Sequence, residues 1–261
     1  MRRAYALLNR WFDRIWVVTL ARAADRQARV AERLRGLDFH FHLGADQADL
    51  DLEALSRAGS YDPRRARAVD RHGRPMTPGQ VGCAISHRQL YEDAIRSDHR
   101  RVLVLEDDVV PDAAALASLP AALAELPPEW ELAYLGWTKF EDVTLGDRVK
   151  RAAYLPLAAL GVLHWTPRQV LRLHPTPFSP NLRRAGYHHC THAYAFTGSA
   201  AGKLLAEQTP VAHVADHLLI HLVLDGRLSA FSTRRSLFAQ EHPPGGPGSY
   251  VGSSANAARR G

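Results

Sequence analysis

Glu106, Asp107 and Asp108 stand together directly after Val102-Leu103-Val104-Leu105. Four apolar residues in a row read as a strand buried on both faces. Three carboxylates at the end of such a strand repel one another. The crowding is relieved by a cation or by keeping one group protonated. A divalent metal held by hard oxygen ligands, Mn2+ or Mg2+, is the simplest solution. In open α/β sheets, ligands bind at the carboxyl ends of the strands. The strand therefore predicts both the place of a site and a metal in it.

Other chemistry-bearing residues lie before and after this strand. Gly82, Ser86 and His87 share the first half of an expected helix. Gly82 permits close approach of another backbone, and Ser86 and His87 have the reach to meet a ribose, phosphate or sugar hydroxyl. Cys83 has no evident activating partner beside it and reads as a small packed residue. His213, His217 and His221 recur every four residues, the spacing of one helical face, but no carboxylate or cysteine at a matching place completes a metal set. His188, His189, Cys190 and His192 form a second histidine-rich stretch of mixed loop and strand setting, where coordinated binding is not expected.

The elements that must position these groups follow from periodicity. Ile15 to Leu20 is an expected strand, Ala23 to Leu37 a helix and Phe39 to Leu43 a second strand, which is a βαβ order. A short helix is expected near Leu50 to Ala58. Thr77-Pro78-Gly79-Gln80 has the form of a capping box, with proline at the first helical position, and opens a helix running to about Ser97. Further helices are expected over Asp112 to Leu126, Ser199 to Glu207 and Val214 to Leu224. Strands are expected over Glu131 to Gly136, Thr191 to Phe196, Leu228 to Phe231 and Ser236 to Ala239. Between Trp137 and His189 the pattern weakens, and loops with short hairpin strands are expected around Ala152 to Trp165. From Pro243 the chain is rich in Gly, Pro, Ser and Ala, a composition of disorder beyond Tyr250.

The 261 residues, 46% of them hydrophobic, suffice for one large α/β domain with a full core. The formal charge of +6 favours anionic partners such as nucleotide phosphates or anionic lipid head groups. Cys83 and Cys190 are far apart, which is no disulfide framework and suits a reducing compartment. No apolar run is long enough to span a bilayer. Met1 to Trp16 lacks the apolar stretch and small-residue cleavage site of a signal peptide. A cytoplasmic protein is expected.

Four segments read together carry a specific resemblance. They are Val17-Val18-Thr19-Leu20 with Arg22 and Arg26; Thr77-Pro78-Gly79-Gln80-Val81-Gly82-Cys83-Ala84-Ile85-Ser86-His87; Leu103-Val104-Leu105-Glu106-Asp107-Asp108; and Thr191-His192-Ala193-Tyr194 with the helix that follows. In this order they resemble glycosyltransferase family 25, which includes bacterial lipooligosaccharide galactosyltransferases and is related to the collagen galactosyltransferases. The resemblance implies a GT-A-like single α/β domain over residues 14–242, with a central, mostly parallel sheet flanked by helices. Residues 1–13 are then an N-terminal extension and 243–261 a tail. It also implies a UDP-sugar donor, an inverting transfer and an acidic motif for the metal, with Asp108 and Asp107 as ligands and Glu106 beside them.

By the same resemblance, Thr19, Leu20 and Arg26 border the nucleotide, and His242 is a late third metal ligand. An Asp after Pro210-Val211 is the candidate catalytic base. In the family pattern it falls near Ala212 or His213, whereas here Asp216 follows His213-Val214-Ala215. The expected activity is transfer of a hexose, galactose foremost, from UDP to a saccharide acceptor, lipid-linked as in lipopolysaccharide, with Trp137 or Trp165 as aromatic platforms. Peripheral association with the inner face of a membrane fits such an acceptor; nucleic acid is not an expected partner. The alternative is a catalytically silent glycan- or partner-binding module on the same fold.

Overall fold

In this computed structural model, residues 1–138 and 142–241 are described. His242 and the tail 243–261 lie outside the described residues. The strands are Arg14–Thr19 (β1), His40–Leu43 (β2), Arg101–Glu106 (β3), Val109–Pro111 (β4), Leu132–Thr138 (β5), Thr176–Pro177 (β6), Leu182–Arg184 (β7), His189–Thr197 (β8), Ala230–Thr233 (β9) and Phe238–Gln240 (β10). The helices are Arg2–Trp11 (α1), Ala24–Arg33 (α2), Leu52–Arg57 (α3), Pro63–Val69 (α4), Pro78–Arg96 (α5), Leu119–Glu125 (α6), Leu145–Ala159 (α7), Pro167–Leu171 (α8), Gly198–Glu207 (α9) and Ala215–Leu224 (α10).

The fold is α/β, built on one sheet in the order β2-β1-β3-β8-β5-β9-β7-β6. β1 pairs in parallel with β2 and β3, and β5 pairs in parallel with β9. β8 runs against both of its neighbours, and β7 against β9 and β6. Strand directions are thus mostly alike, with β7 and β8 reversed, but the sheet is mixed rather than simply parallel.

β3 fills the place that its composition demands. Val102, Leu103, Val104 and Leu105 are all fully buried, and side chains alternate across the sheet. Leu103 and Leu105 join one core, with Tyr5, Leu8, Val30 and Leu119 from α1, α2 and α6 and with Leu34 just after α2. Val102 and Val104 join the other, with Leu90 and Tyr91 of α5, Leu204 of α9 and Leu218 of α10. Burial of each such side chain contributes roughly 2 kcal/mol. A strand clamped between two cores fixes its last residue firmly, and that residue is Glu106.

α5 begins as its sequence dictates. Thr77 Oγ1 accepts from Gln80 N at 3.2 Å and Gln80 Oε1 accepts from Thr77 N at 2.8 Å, with Pro78 in the first turn.

Three stretches differ from expectation. Residues 1–13, read as an extension, hold α1, whose Tyr5 and Leu8 are buried in the same core as the sheet. The helix expected from Asp112 is a 3-10 turn over Ala115–Ser118 followed by α6, because Asp112 Oδ1 caps Ala114 N and Ala115 N before Pro120 restarts the chain. The hairpin strands expected around Ala152 to Trp165 are not there. That stretch continues α7, opened by a capping box of Thr144 and Asp147 and carrying Pro156 within it. The apolar residues of α7 lie largely on its outer face, so no inward-facing periodicity marks it as a core helix.

Candidate active site

Parallel pairing of β1 with β3 sets Val18 opposite Glu106, so both strands end on the same edge of the sheet. Thr19 is then within reach of Asp107, and its hydroxyl donates to Asp107 Oδ2 at 2.6 Å. Asp107 and Asp108 form the turn from β3 to β4, and both are buried. β4 pairs with β10, which brings Gln240 opposite Val109. The Gln240 amide donates to Glu106 Oε2 at 3.1 Å and Asp108 Oδ2 at 3.3 Å.

α2 lays its basic residues across this edge. Arg26 Nη2 lies 2.5 Å from Asp107 Oδ1 and 3.1 Å from Asp108 Oδ2, and its side chain is largely buried. One turn and two turns further on, Arg29 and Arg33 pair with Glu241. The expected metal ligands therefore converge and are already bridged by a guanidinium.

Burial still bears on the acids bridged in this way. Burial pushes the Glu106 carboxyl up to about 8, and the charges of Asp108, Asp107 and Asp216 push the same way, against Arg26. Burial also raises Asp107, opposed by the Thr19 hydrogen bond and Arg26. Hard carboxylate oxygens gathered at one turn are a donor set that fits Mn2+ or Mg2+.

The α5 residues are engaged within the fold. Ser86 Oγ donates to Gly82 O at 2.7 Å and accepts from Ala45 N at 2.9 Å, joining the helix to the loop after β2. A Cβ on Gly82 would lie 2.6 Å from Ala45 O, so the close backbone approach expected of this glycine is real. His87 is buried, 2.7 Å by Nδ1 from the Tyr194 hydroxyl, which lies 3.2 Å from that of Tyr91. Burial lowers His87 to about 4, so it is neutral. Burial raises the Cys83 thiol far above its ordinary value, in keeping with a packed and unreactive residue. The Leu20 carbonyl accepts from Ala23 N and Gln27 Nε2, which anchors the start of α2.

Asp216 sits in the first turn of α10, with Oδ2 3.6 Å from His189 Nδ1. Its charge acts on Glu106, His87 and Tyr134, so it faces the same end of the sheet as the acidic turn. The expected histidine stripe is divided. His213 precedes α10, so four-residue spacing does not put it on that helix's face. Instead His213 stacks on His221, with ring centroids 4.9 Å apart beside Glu207. His217 joins His189 and Asp216. Each group brings three ligand atoms within 4.8 Å of one another, so carboxylates do accompany these histidines, contrary to the expectation. Glu207 is already paired with Arg65 and Arg227.

Trp137 is buried against His188 and cannot serve as an acceptor platform. Trp165 is partly exposed between Tyr154 and Tyr187. Gln240 is given no role by pattern reading, and His189 belongs to the stretch where coordinated binding is not expected, yet both stand at the site. Their only signal was a polar residue at a strand end beside Glu241, and a histidine where β8 begins.

The model of the family described as glycosyltransferase family 25 (LPS biosynthesis protein) matches residues 12–219. The human protein named inactive glycosyltransferase 25 family member 3 is 30% identical over 62% of this chain and 27% of its own length. A glycosyltransferase 25 family member of Anopheles gambiae is 29% identical over 61% of the chain and 27% of its own length. Human procollagen galactosyltransferase 2 is 28% identical over 62% and 26%. The chain spans about a quarter of the length of these relatives.

Proposed function

The chain belongs to glycosyltransferase family 25, and we propose that it is a metal-dependent, inverting hexosyltransferase. It moves a hexose, galactose foremost, from a UDP-sugar to a saccharide acceptor, lipid-linked as in lipopolysaccharide, at the cytoplasmic face of a membrane. The observation that carries this reading is the gathering of Glu106, Asp107 and Asp108 at the carboxyl edge of β3, within the field of Asp216 and bridged by Arg26.

Asp107 and Asp108, with His242, would hold Mn2+ or Mg2+, which when bound supplies positive charge for the departing diphosphate. The chain's own residues do the rest. Thr19 and Gln240 fix the carboxylates in place. Arg26, with Arg29 and Arg33 on the same helix, offers guanidinium groups for diphosphate oxygens. Asp216 accepts the proton of the acceptor hydroxyl.

The bridge of Arg26 across both aspartates favours a second reading. A guanidinium in that place serves a silent binding module as an internal counter-ion, and some of the relatives are named inactive. Hydrolysis of a panel of UDP-sugars, with and without Mn2+, separates the two, because donor turnover needs no acceptor. A transferase cleaves one donor preferentially in Mn2+, and Asp108→Asn abolishes both this and metal-assisted UDP binding. Absence of UDP binding by calorimetry in Mn2+ would sink the transferase reading.

A further inference from the structure

Helix α7 turns an apolar face to solvent. Leu145, Val149, Ala152, Ala153, Pro156 and Leu160 follow one another at steps of four, three, one, three and four, which puts them on one side of a helix, and all are exposed. Leu145 and Leu160 are each 76% exposed and Val149 61%. Six of the ten large apolar residues exposed among the described residues fall between positions 145 and 171, so the apolar surface of this protein is concentrated here rather than scattered. The opposite side of α7 packs inward: buried Ala158 and partly buried Tyr154 and Leu155 meet Val170 of α8 and Ile220 and Leu224 of α10.

Cations frame the exposed face. On a helical projection Arg148 borders it on one side and Lys150 on the other, and both are exposed. From position 143 to 172 the chain carries five Lys or Arg and a single acid. That acid, Asp147, is used in the N-terminal cap. An amphipathic helix with an apolar face rimmed by Lys and Arg matches a bilayer interface with anionic head groups. It does not match a second copy of the same face, whose cations would oppose these.

We propose that α7 is a membrane-docking helix that lies in the plane of an anionic bilayer, with Leu145, Val149 and Leu160 inserted and Arg148 and Lys150 on lipid phosphates. A run of side-chain contacts joins this helix to the candidate base. Tyr154 on the inner side of α7 contacts Trp165, Trp165 contacts Tyr187, Tyr187 contacts His189, and His189 adjoins Asp216. The surface stands on its own observations; only its use in presenting a lipid-linked acceptor rests on the function proposed above.

The test is flotation of the full chain with vesicles of phosphatidylcholine alone or of phosphatidylcholine mixed with phosphatidylglycerol. It reads no turnover, so it fails or succeeds apart from the transferase reading. Binding to the anionic vesicles is expected, falling with salt. Val149→Asp with Leu160→Asp should weaken it more than tenfold, and Arg148→Glu or Lys150→Glu at least about fivefold each, all with unchanged thermal unfolding. The proposal is overturned by no flotation on either vesicle, by equal flotation on both, or by binding that survives the double substitution. It is equally overturned if the free protein self-associates through this face, seen as a dimer in sedimentation that Val149→Asp with Leu160→Asp dissolves.

Discussion

Arg26 and Asp108 form an ion pair at 3.1 Å on the carboxyl edge of the sheet, and the same guanidinium nitrogen also holds Asp107. Two elements distant in sequence are thereby joined through charge. α2 supplies the cation, and the turn after β3 supplies the anions. A buried ion pair is costly to break from one side, because the remaining charge is left without compensation.

The first prediction follows from that pair. Arg26→Gln should destabilise the metal-free protein by roughly 3 kcal/mol. Mn2+ should then stabilise the variant more than the unaltered chain, because cation and guanidinium serve the same carboxylates. Thermal unfolding with and without Mn2+ measures both effects. Equal Mn2+ shifts in the two proteins would show that metal and arginine do not share the aspartates.

Much of this edge was legible in the sequence because it rests on local signals. An apolar run bounded by acids reads as a buried strand ending at a polar edge, and β3 is that strand. Thr77, Pro78 and Gln80 specify a helix start within four residues, and α5 begins there. What failed to show was long-range or inverted. The approach of His189 to Asp216 links residues 27 positions apart and depends on how α10 meets β8. Gln240 reaches the acids only because β10 pairs with β4. The histidines at 213, 217 and 221 share a period, but the helix begins after the first of them, so the period misleads. α7 was misread since its apolar residues face outward, where periodicity normally signals polar groups.

Gly82 offers a test of how tightly the nucleotide side is built. The nearest atoms to a Cβ there are Ala45 O at 2.6 Å and Leu50 Cδ1 at 3.3 Å, and a backbone carbonyl cannot swing away as a side chain can. Gly82→Ala should therefore cost about 1–3 kcal/mol. It should also displace the loop at Gly44, whose N–H donates to Thr19 O at 2.8 Å, and so weaken UDP binding. Urea unfolding and calorimetry with UDP report the two consequences; an unchanged UDP affinity would uncouple this loop from the nucleotide.

Acid sensitivity is expected from two buried histidines. His87 and His213 are each lowered from the ordinary value to about 4, burial being the main cause in both. Below its ordinary value of about 6.5, the unfolded chain takes up protons that the folded chain refuses. The stability from each neutral imidazole is complete above that value and is lost as pH falls through about 4. Near pH 5 the loss should be on the order of 2 kcal/mol per histidine. His87→Phe should flatten the decline of unfolding temperature with acidity. A variant that declines as steeply as the unaltered protein would assign the acid sensitivity to other groups.

Asp216 carries the last prediction, since its position departs from the family pattern. It lies in the first turn of α10. His189 Nδ1 stands 3.6 Å from Oδ2, near enough to orient the carboxylate without closing a short hydrogen bond. If Asp216 takes the acceptor proton, Asp216→Asn should lower kcat for transfer by about 10²–10⁴, while UDP affinity in Mn2+ stays unchanged. His189→Gln should give a smaller loss in kcat, because an amide can still hold the carboxylate. A general base also leaves a mark on the pH profile: the acid limb of kcat should disappear in Asp216→Asn. Transfer at an undiminished rate in that variant would move the base elsewhere and leave Asp216 as a helix-start residue.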